Sequence, residues 1–129
     1  MKMENSFTAT TTKASQAKYW FCTLNNPVLS LQELYELRQP HIKSMSGQLE
    51  VGKEDTPHLQ FIVCFNKKKR LSFFKLWDKN IHAEIAKDIK AVHKYCNKED
   101  TRVKGPWHFG DDFDFSRGGG DRKSMKYIN

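Results

Sequence analysis

His58 and Gln60 stand two residues apart in the apolar run His58-Leu-Gln-Phe-Ile-Val-Cys-Phe65. In a strand, side chains alternate faces, so Leu59, Phe61, Val63 and Phe65 point one way and His58, Gln60, Ile62 and Cys64 the other. The wholly apolar set belongs on a core, which leaves His58 and Gln60 side by side on the opposite face. The preceding apolar stretch divides likewise: Gly47, Leu49 and Val51 share one face, and Ser46, Gln48 and Glu50 the other. Pairing of the two strands through the polar turn Gly52–Pro57 brings Glu50 near His58 and Gln60. A carboxylate, an imidazole and an amide carbonyl suit Mg²⁺ or Mn²⁺ better than a thiolate-seeking metal, and three protein ligands leave positions open. Ordinary polar residues on a half-exposed sheet would produce the same pattern. A register slip of one residue would exchange Glu50 for a neighbour, and Glu54 and Asp55 are rival carboxylates in the turn.

Further along, Tyr95 and Lys98 fall three residues apart on a helix beginning at Asp88 and running to about Lys98, which puts them on one stripe. Ile89, Val92 and Cys96 form the buried stripe beside it. A phenol with an ammonium one turn away fits phosphoryl transfer, the oxygen as nucleophile and the cation offsetting developing charge. A tyrosine packed on a sheet next to a solvated lysine is the plainer alternative. His93 points to another side of the helix and is a poor general base for Tyr95.

Positioning these groups requires a defined set of elements. Tyr19–Leu24 reads as an aromatic, β-branched strand stopped by Asn25-Asn26-Pro27. Ser30 caps a helix to about Gln39, with Glu33 at the capping-box position, and Pro40 ends it. Strands follow at Ile42–Val51, bulged or interrupted near Gly47, and at His58–Phe65, then a basic turn at Lys67–Arg70. A short helix over Arg70–Asp78, a strand over Ile81–Ala86, the Asp88 helix and a final piece at Trp107–Gly110 complete the order β-α-β-β-α-β-α-β. This pattern predicts an α+β fold: an antiparallel sheet of about five strands with helices packed on one face and the other face free for a site.

At 129 residues the chain has room for one domain. Residues 1–17 are polar and rich in Thr, Ser and Ala and are expected to form a flexible tail. From Ser116 onward the glycine-rich, charged sequence reads as a flexible linker, leaving 18–115 as the folded domain. Hydrophobic content of 38% with 12% aromatics excludes a disordered chain. No apolar run approaches a membrane span and no signal-peptide core is present, so a soluble protein made in the cytosol is expected. The net charge of +7 favours a polyanionic partner. Lys67, Lys68, Lys69 and Arg70 form the densest basic cluster, open to three readings: a solvated turn, phosphate contacts or a nuclear import signal. Cys22, Cys64 and Cys96 are odd in number without close spacing, which fits packed thiols in a reducing compartment rather than disulfides or a zinc site.

Three segments together, Phe21-Cys-Thr-Leu-Asn-Asn26, Thr56-Pro-His-Leu-Gln60 and Tyr95-Cys-Asn-Lys98, occur in the order and at the spacing of the rolling-circle motifs. The stretch from roughly 18 to 112 resembles the HUH endonuclease domain of replication initiator (Rep) proteins of circular single-stranded DNA viruses, circovirus-like and nanovirus-like. The resemblance implies that His58 and Gln60 are metal ligands with Glu50 as the acidic one, that Tyr95 is the nucleophile and that Lys98 is the motif-three lysine. It gives Asn25 and Asn26 a role in DNA recognition or in structure. It departs from the family pattern in that Gln60 stands for the second His, a usual variant in the circovirus-like branch, and Phe61 stands where Gly commonly follows.

The resemblance further implies Mn²⁺- or Mg²⁺-dependent nicking and joining of single-stranded DNA at a stem-loop origin through a 5′-phosphotyrosine link. It implies work in the host nucleus and a helicase domain following in the full-length protein; no G-x-x-x-x-G-K-[ST] loop occurs in this chain. A non-catalytic RRM-like single-strand-binding module is the rival, although its aromatics would lie on the face assigned to the core. His82-Ala-Glu84 matches half of a zinc-deaminase motif, but the P-C-x-x-C partner is missing. The polar face of its strand is the better place for His82 and Glu84.

Overall fold

The computed structural model describes residues 6–116. Its elements are β1 (Thr8–Ala9), β2 (Ala17–Asn25), α1 (Leu31–Leu37), β3 (Ile42–Val51), β4 (Pro57–Lys69), α2 (Leu71–Trp77), β5 (Ile81–Ala86), α3 (Ile89–Tyr95) and β6 (Arg102–Gly110). The strands form a single six-stranded sheet in the order β1-β5-β2-β4-β3-β6, and every neighbouring pair is antiparallel.

Local chemistry explains the boundaries. Ser30 Oγ accepts from the Glu33 amide at 3.1 Å while Glu33 Oε1 accepts from the Ser30 amide at 2.9 Å, the reciprocal capping box that starts α1. Asp88 Oδ1 accepts from the Ala91 amide at 3.0 Å and starts α3. Asn97 ends it: its side-chain amide donates to the His93 carbonyl at 2.8 Å, satisfying an acceptor that the last turn leaves open.

The alternation read in β4 holds. Leu59, Phe61, Val63 and Phe65 are buried with Trp20, Cys22 and Leu24 of β2, Leu31 and Leu34 of α1, and Phe74 and Trp77 of α2. Gly47 lies directly opposite Phe61, where an added Cβ would collide with the Gln60 carbonyl and the Phe61 side chain. The absent side chain lets the central strands close over the aromatic core.

Several expectations are corrected. The α+β class and the antiparallel sheet are as expected, but among the described residues the sheet has six strands rather than about five, and the helices are not all on one face. Ile89, Val92 and Cys96 of α3 pack with Phe21 and Ile62, which alternate away from the main core, so α3 lies across the face opposite α1 and α2. The stripe Ile89–Val92–Cys96 is itself buried as read. Strand β3 runs unbroken through Gly47, and the irregularity expected near Gly47 lies in its pairing with β6, where the register shifts between Gly47 and Leu49 and again between Leu49 and Glu50; against β4 the shift falls between Ile42 and Ser44.

The basic run is no turn. Lys67–Lys69 extend β4, with Ala17 of β2 pairing with Lys69, and Arg70 precedes α2. Within the expected tail, Thr8–Ala9 pairs with β5, and the Lys87 and Asp88 amides both donate to the Phe7 carbonyl. The expected linker from Ser116 lies outside the described residues apart from Ser116 itself.

Cys22, Cys64 and Cys96 are buried, as expected of packed thiols. Burial pushes the Cys22 and Cys96 thiols well above their ordinary range, which keeps them protonated and unreactive. Among the described residues no helix is long and apolar enough to cross a membrane.

Candidate active site

The site grows from the register of three strands. Asn25 of β2 pairs with His58 of β4, and His58 pairs with Glu50 of β3. Two residues further in, His82 pairs with Thr23, Thr23 with Gln60, and Gln60 with Gln48. Two adjacent rows of polar side chains therefore cross the sheet on the face that α3 covers. The β3–β4 hairpin takes the register that puts Glu50 opposite His58, while Glu54 and Asp55 stay exposed in the turn.

Glu50 is almost wholly buried, at 2% exposure. Its carboxylate accepts from Lys98 Nζ at 2.8 Å on each oxygen and from Gln48 Nε2 at 2.7 Å, and it lies 3.4 Å from His58 Nε2. Burial alone would raise the carboxyl, but hydrogen bonds from His58, Lys98 and Gln48, with the Lys98 charge, outweigh it and hold the pKa at about 2. The hydrogen bond to Glu50 raises the His58 imidazole above its ordinary value against the opposing effect of burial. His58 Nδ1 lies 3.2 Å from the Thr56 carbonyl, which turns Nε2 toward Glu50. Gln60, also buried, donates through Nε2 to Thr23 Oγ1.

Tyr95 closes α3, 36% exposed, its ring 5.3 Å from Phe7 and 5.7 Å from Phe21. Lys98 lies beyond the helix end rather than on it. The chain turns after Tyr95, and this turn carries the Lys98 ammonium to 3.9 Å from the centre of the Tyr95 ring while it also reaches Glu50. The sequence-predicted groups Glu50, His58, Gln60, Tyr95 and Lys98 thus converge on one face.

Asn25 flanks this group next to His58, and Asn26, at a positive φ of 49°, turns the chain and donates its amide to the Pro57 carbonyl at 2.7 Å. The other DNA-contact candidates stand apart. Lys67, Lys68 and Lys69 lie at the far end of β4 and Arg70 just beyond it, about 30–40 Å from His58 at a strand rise of about 3.3 Å per residue. His93 faces away, packed on Phe113 and Phe115, and burial lowers its pKa. His82 and Glu84 pair at 3.0 Å on the polar face of β5.

A family model described as a putative viral replication protein matches residues 17–99. The chain belongs to this viral replication protein family. Relatives include the master replication protein of banana bunchy top virus, 34% identical over 70% of this chain and 30% of its own length. The replication-associated protein of pigeon circovirus is 36% identical over 67% of this chain and 28% of its own. Para-Rep C1 of a faba bean necrotic yellows alphasatellite is 40% identical over 78% and 33%. The resemblance to nanovirus and circovirus Rep proteins is thereby borne out. The chain spans about a third of the length of these curated relatives.

Sequence reasoning missed several members of the site. Gln48, Arg102 and Asn97 form a hydrogen-bonded layer behind Glu50 and Lys98. Gln48 carried a signal, its two-residue spacing from Glu50 on the same strand face. Phe7 carried a weaker one, a lone aromatic in a Thr- and Ser-rich segment. Among the described residues, no cluster of three His, Cys, Asp or Glu side chains could hold a metal ion. Glu50, His58 and Gln60 contribute only two residues of those types, and the amide makes the third donor. A buried carboxylate kept ionised, an imidazole with Nε2 turned inward and an amide two residues on form a donor set that fits Mg²⁺ or Mn²⁺.

Proposed function

We propose that this chain is the DNA-nicking portion of a viral replication initiator, cutting and rejoining single-stranded DNA at a stem-loop origin. The observation that carries the reading is Lys98, which touches both the Glu50 carboxylate and the Tyr95 ring and so joins a candidate nucleophile to a candidate metal-ligand set. Family membership supports replication as the setting.

Glu50, His58 and Gln60 would hold the divalent cation, which when bound supplies Lewis-acid polarisation of the scissile phosphodiester. The Tyr95 oxygen attacks phosphorus in line and forms a phosphotyrosyl bond as the P–O3′ bond breaks. The phenol gives up its proton and the departing O3′ gains one, so DNA leaves as a 3′-hydroxyl and the 5′-phosphate stays on the protein. The energy of the bond is conserved, and a later 3′-hydroxyl attacks the phosphotyrosine to close a circle. The Lys98 ammonium, at the Tyr95 ring, is positioned to offset charge that develops on phosphate and phenolate.

The test is incubation with labelled single-stranded oligonucleotides bearing stem-loop origins, in Mn²⁺, Mg²⁺ or EDTA, beside Tyr95→Phe. Metal-dependent cleavage with a covalent protein–DNA band, absent in Tyr95→Phe, is expected. Binding without cleavage under every metal and sequence would overturn the reading in favour of a passive single-strand-binding module. Cleavage that survives Tyr95→Phe would move the nucleophile elsewhere.

A further inference from the structure

Gln48 is 0% exposed, and its side-chain amide is fully committed. Oε1 accepts from Arg102 Nε at 3.0 Å; Nε2 donates to Glu50 Oε2 and to the Lys98 carbonyl, each at 2.7 Å. Arginine can only donate, so Arg102 sets which way the amide faces. With Oε1 held by Arg102, both Nε2 hydrogens point at the two acceptors. Gln48 therefore turns its donors toward Glu50 and has no oxygen to offer a cation. Arg102 also donates to the Asn97 carbonyl at 2.9 Å, and Asn97 reaches Ser46 Oγ at 3.3 Å, so the turn carrying Lys98 is tied to β3 at Ser46 and Gln48 and to β6 at Arg102.

We propose that Gln48, oriented by Arg102, is a positioning residue that locks the Glu50 carboxylate and the Tyr95–Lys98 turn into one geometry. The proposal rests on the reading of Glu50 as a metal ligand and deepens it. A carboxylate ligand needs an outer partner to fix which lone pairs face the cation, and losing such a partner typically weakens metal binding by about 10–100-fold. Gln48 is that partner, and the same amide joins the ligand strand β3 to the end of the nucleophile helix. Glu50 and Tyr95 come from elements that share no backbone hydrogen bonds, so a buried bridge keeps them in register.

The test uses Gln48→Met, which keeps side-chain length and removes both donors and the acceptor. Mn²⁺ affinity by titration calorimetry is expected to fall about 10–100-fold. Amide hydrogen exchange over residues 97–101, measured in EDTA, is expected to quicken. Arg102→Met, at a half-buried position, repeats both measurements in case the loss of a buried amide unfolds the chain, and is expected to shift them in the same direction.

Unchanged Mn²⁺ affinity in folded variants would overturn the proposal, since a merely structural amide would lower the melting temperature alone. A wild-type protein that binds no Mn²⁺ would instead defeat the metal reading of Glu50. Exchange over 97–101 would then still decide whether Gln48 pins the turn, with unchanged exchange overturning that as well.

Discussion

Lys98 Nζ lies 2.8 Å from both carboxylate oxygens of Glu50, a residue 48 positions earlier in the chain. A buried carboxylate pays a desolvation penalty unless it is paired, and Lys98 supplies that pairing from the turn after α3. Lys98→Met is expected to destabilise the metal-free protein by about 2 kcal/mol, because a charged hydrogen bond is lost while the carboxylate stays buried. Denaturant unfolding in EDTA measures this. Nicking by the same variant is expected to fall while Mn²⁺ binding persists, which separates a role at phosphate from a role in holding the cation.

The pH dependence of stability in EDTA has two arms. Glu50 has a folded pKa of about 2 against an ordinary 4.5, so its contribution is present above 4.5 and is lost as pH falls toward 2. At about 1.4 kcal/mol per pKa unit, that arm is worth roughly 3 kcal/mol. His58 is raised above 6.5, so its contribution is complete below 6.5 and is lost as pH rises through its folded pKa. The arms share one Glu50–His58 contact and do not add. Unfolding from pH 3 to 8 is expected to show maximal stability between them, and Glu50→Gln is expected to flatten both.

Phe7 lies in a segment whose composition reads as a tail, yet its ring packs 5.5 Å from Phe21 and 5.3 Å from Tyr95. Each such ring pair is worth about 1 kcal/mol. Phe7→Ala is expected to cost about 2 kcal/mol in unfolding and to shift the Tyr95 ring resonances. Full stability and unmoved resonances after this change would mean that the N-terminal segment does not support α3.

Tyr95→Phe keeps the ring that meets Phe7, Phe21 and Lys98 and removes only the hydroxyl, which sits on a partly exposed residue. Its stability is expected to stay within about 0.5 kcal/mol of wild type, as for surface changes. The covalent DNA adduct is expected to vanish. Loss of the adduct with preserved melting places the effect in chemistry rather than folding.

Lys67 and Lys68 are exposed at the end of β4 remote from His58. Lys67→Ala/Lys68→Ala is expected to weaken single-stranded DNA binding alike for all sequences. The slope of log affinity against log salt is expected to drop by about 0.7 for each phosphate contact removed. Mn²⁺ affinity and cleavage at saturating DNA are expected to stay at wild-type values. A change in either would place this run near the site after all.

Residue types and a two-residue period put His58, Gln60 and Glu50 on one sheet face, and the resemblance in three motifs joined Tyr95 and Lys98 to them as a candidate site. Once His58–Phe65 is a strand with Leu59, Phe61, Val63 and Phe65 on the core, His58 and Gln60 must share the other face, and the hairpin register seen in the structure then chooses Glu50 over Glu54 and Asp55. The capping residues Ser30, Glu33 and Asp88 were equally local, because a cap is satisfied within four residues of chain. The rest depended on distant partners. Composition read Lys67–Arg70 as a turn, but strand length is decided by the pairing partner, and β2 carries β4 through Lys69. Periodicity identified the buried stripe of α3 but not which sheet face receives it; that depends on Phe21 and Ile62 filling the space beneath. The roles of Gln48, Arg102 and Asn97 could not be read locally, because they lie in hydrogen bonds that span 5 to 54 positions. Local sequence settles which groups face one another within a hairpin, whereas packing across the sheet settles what holds them there.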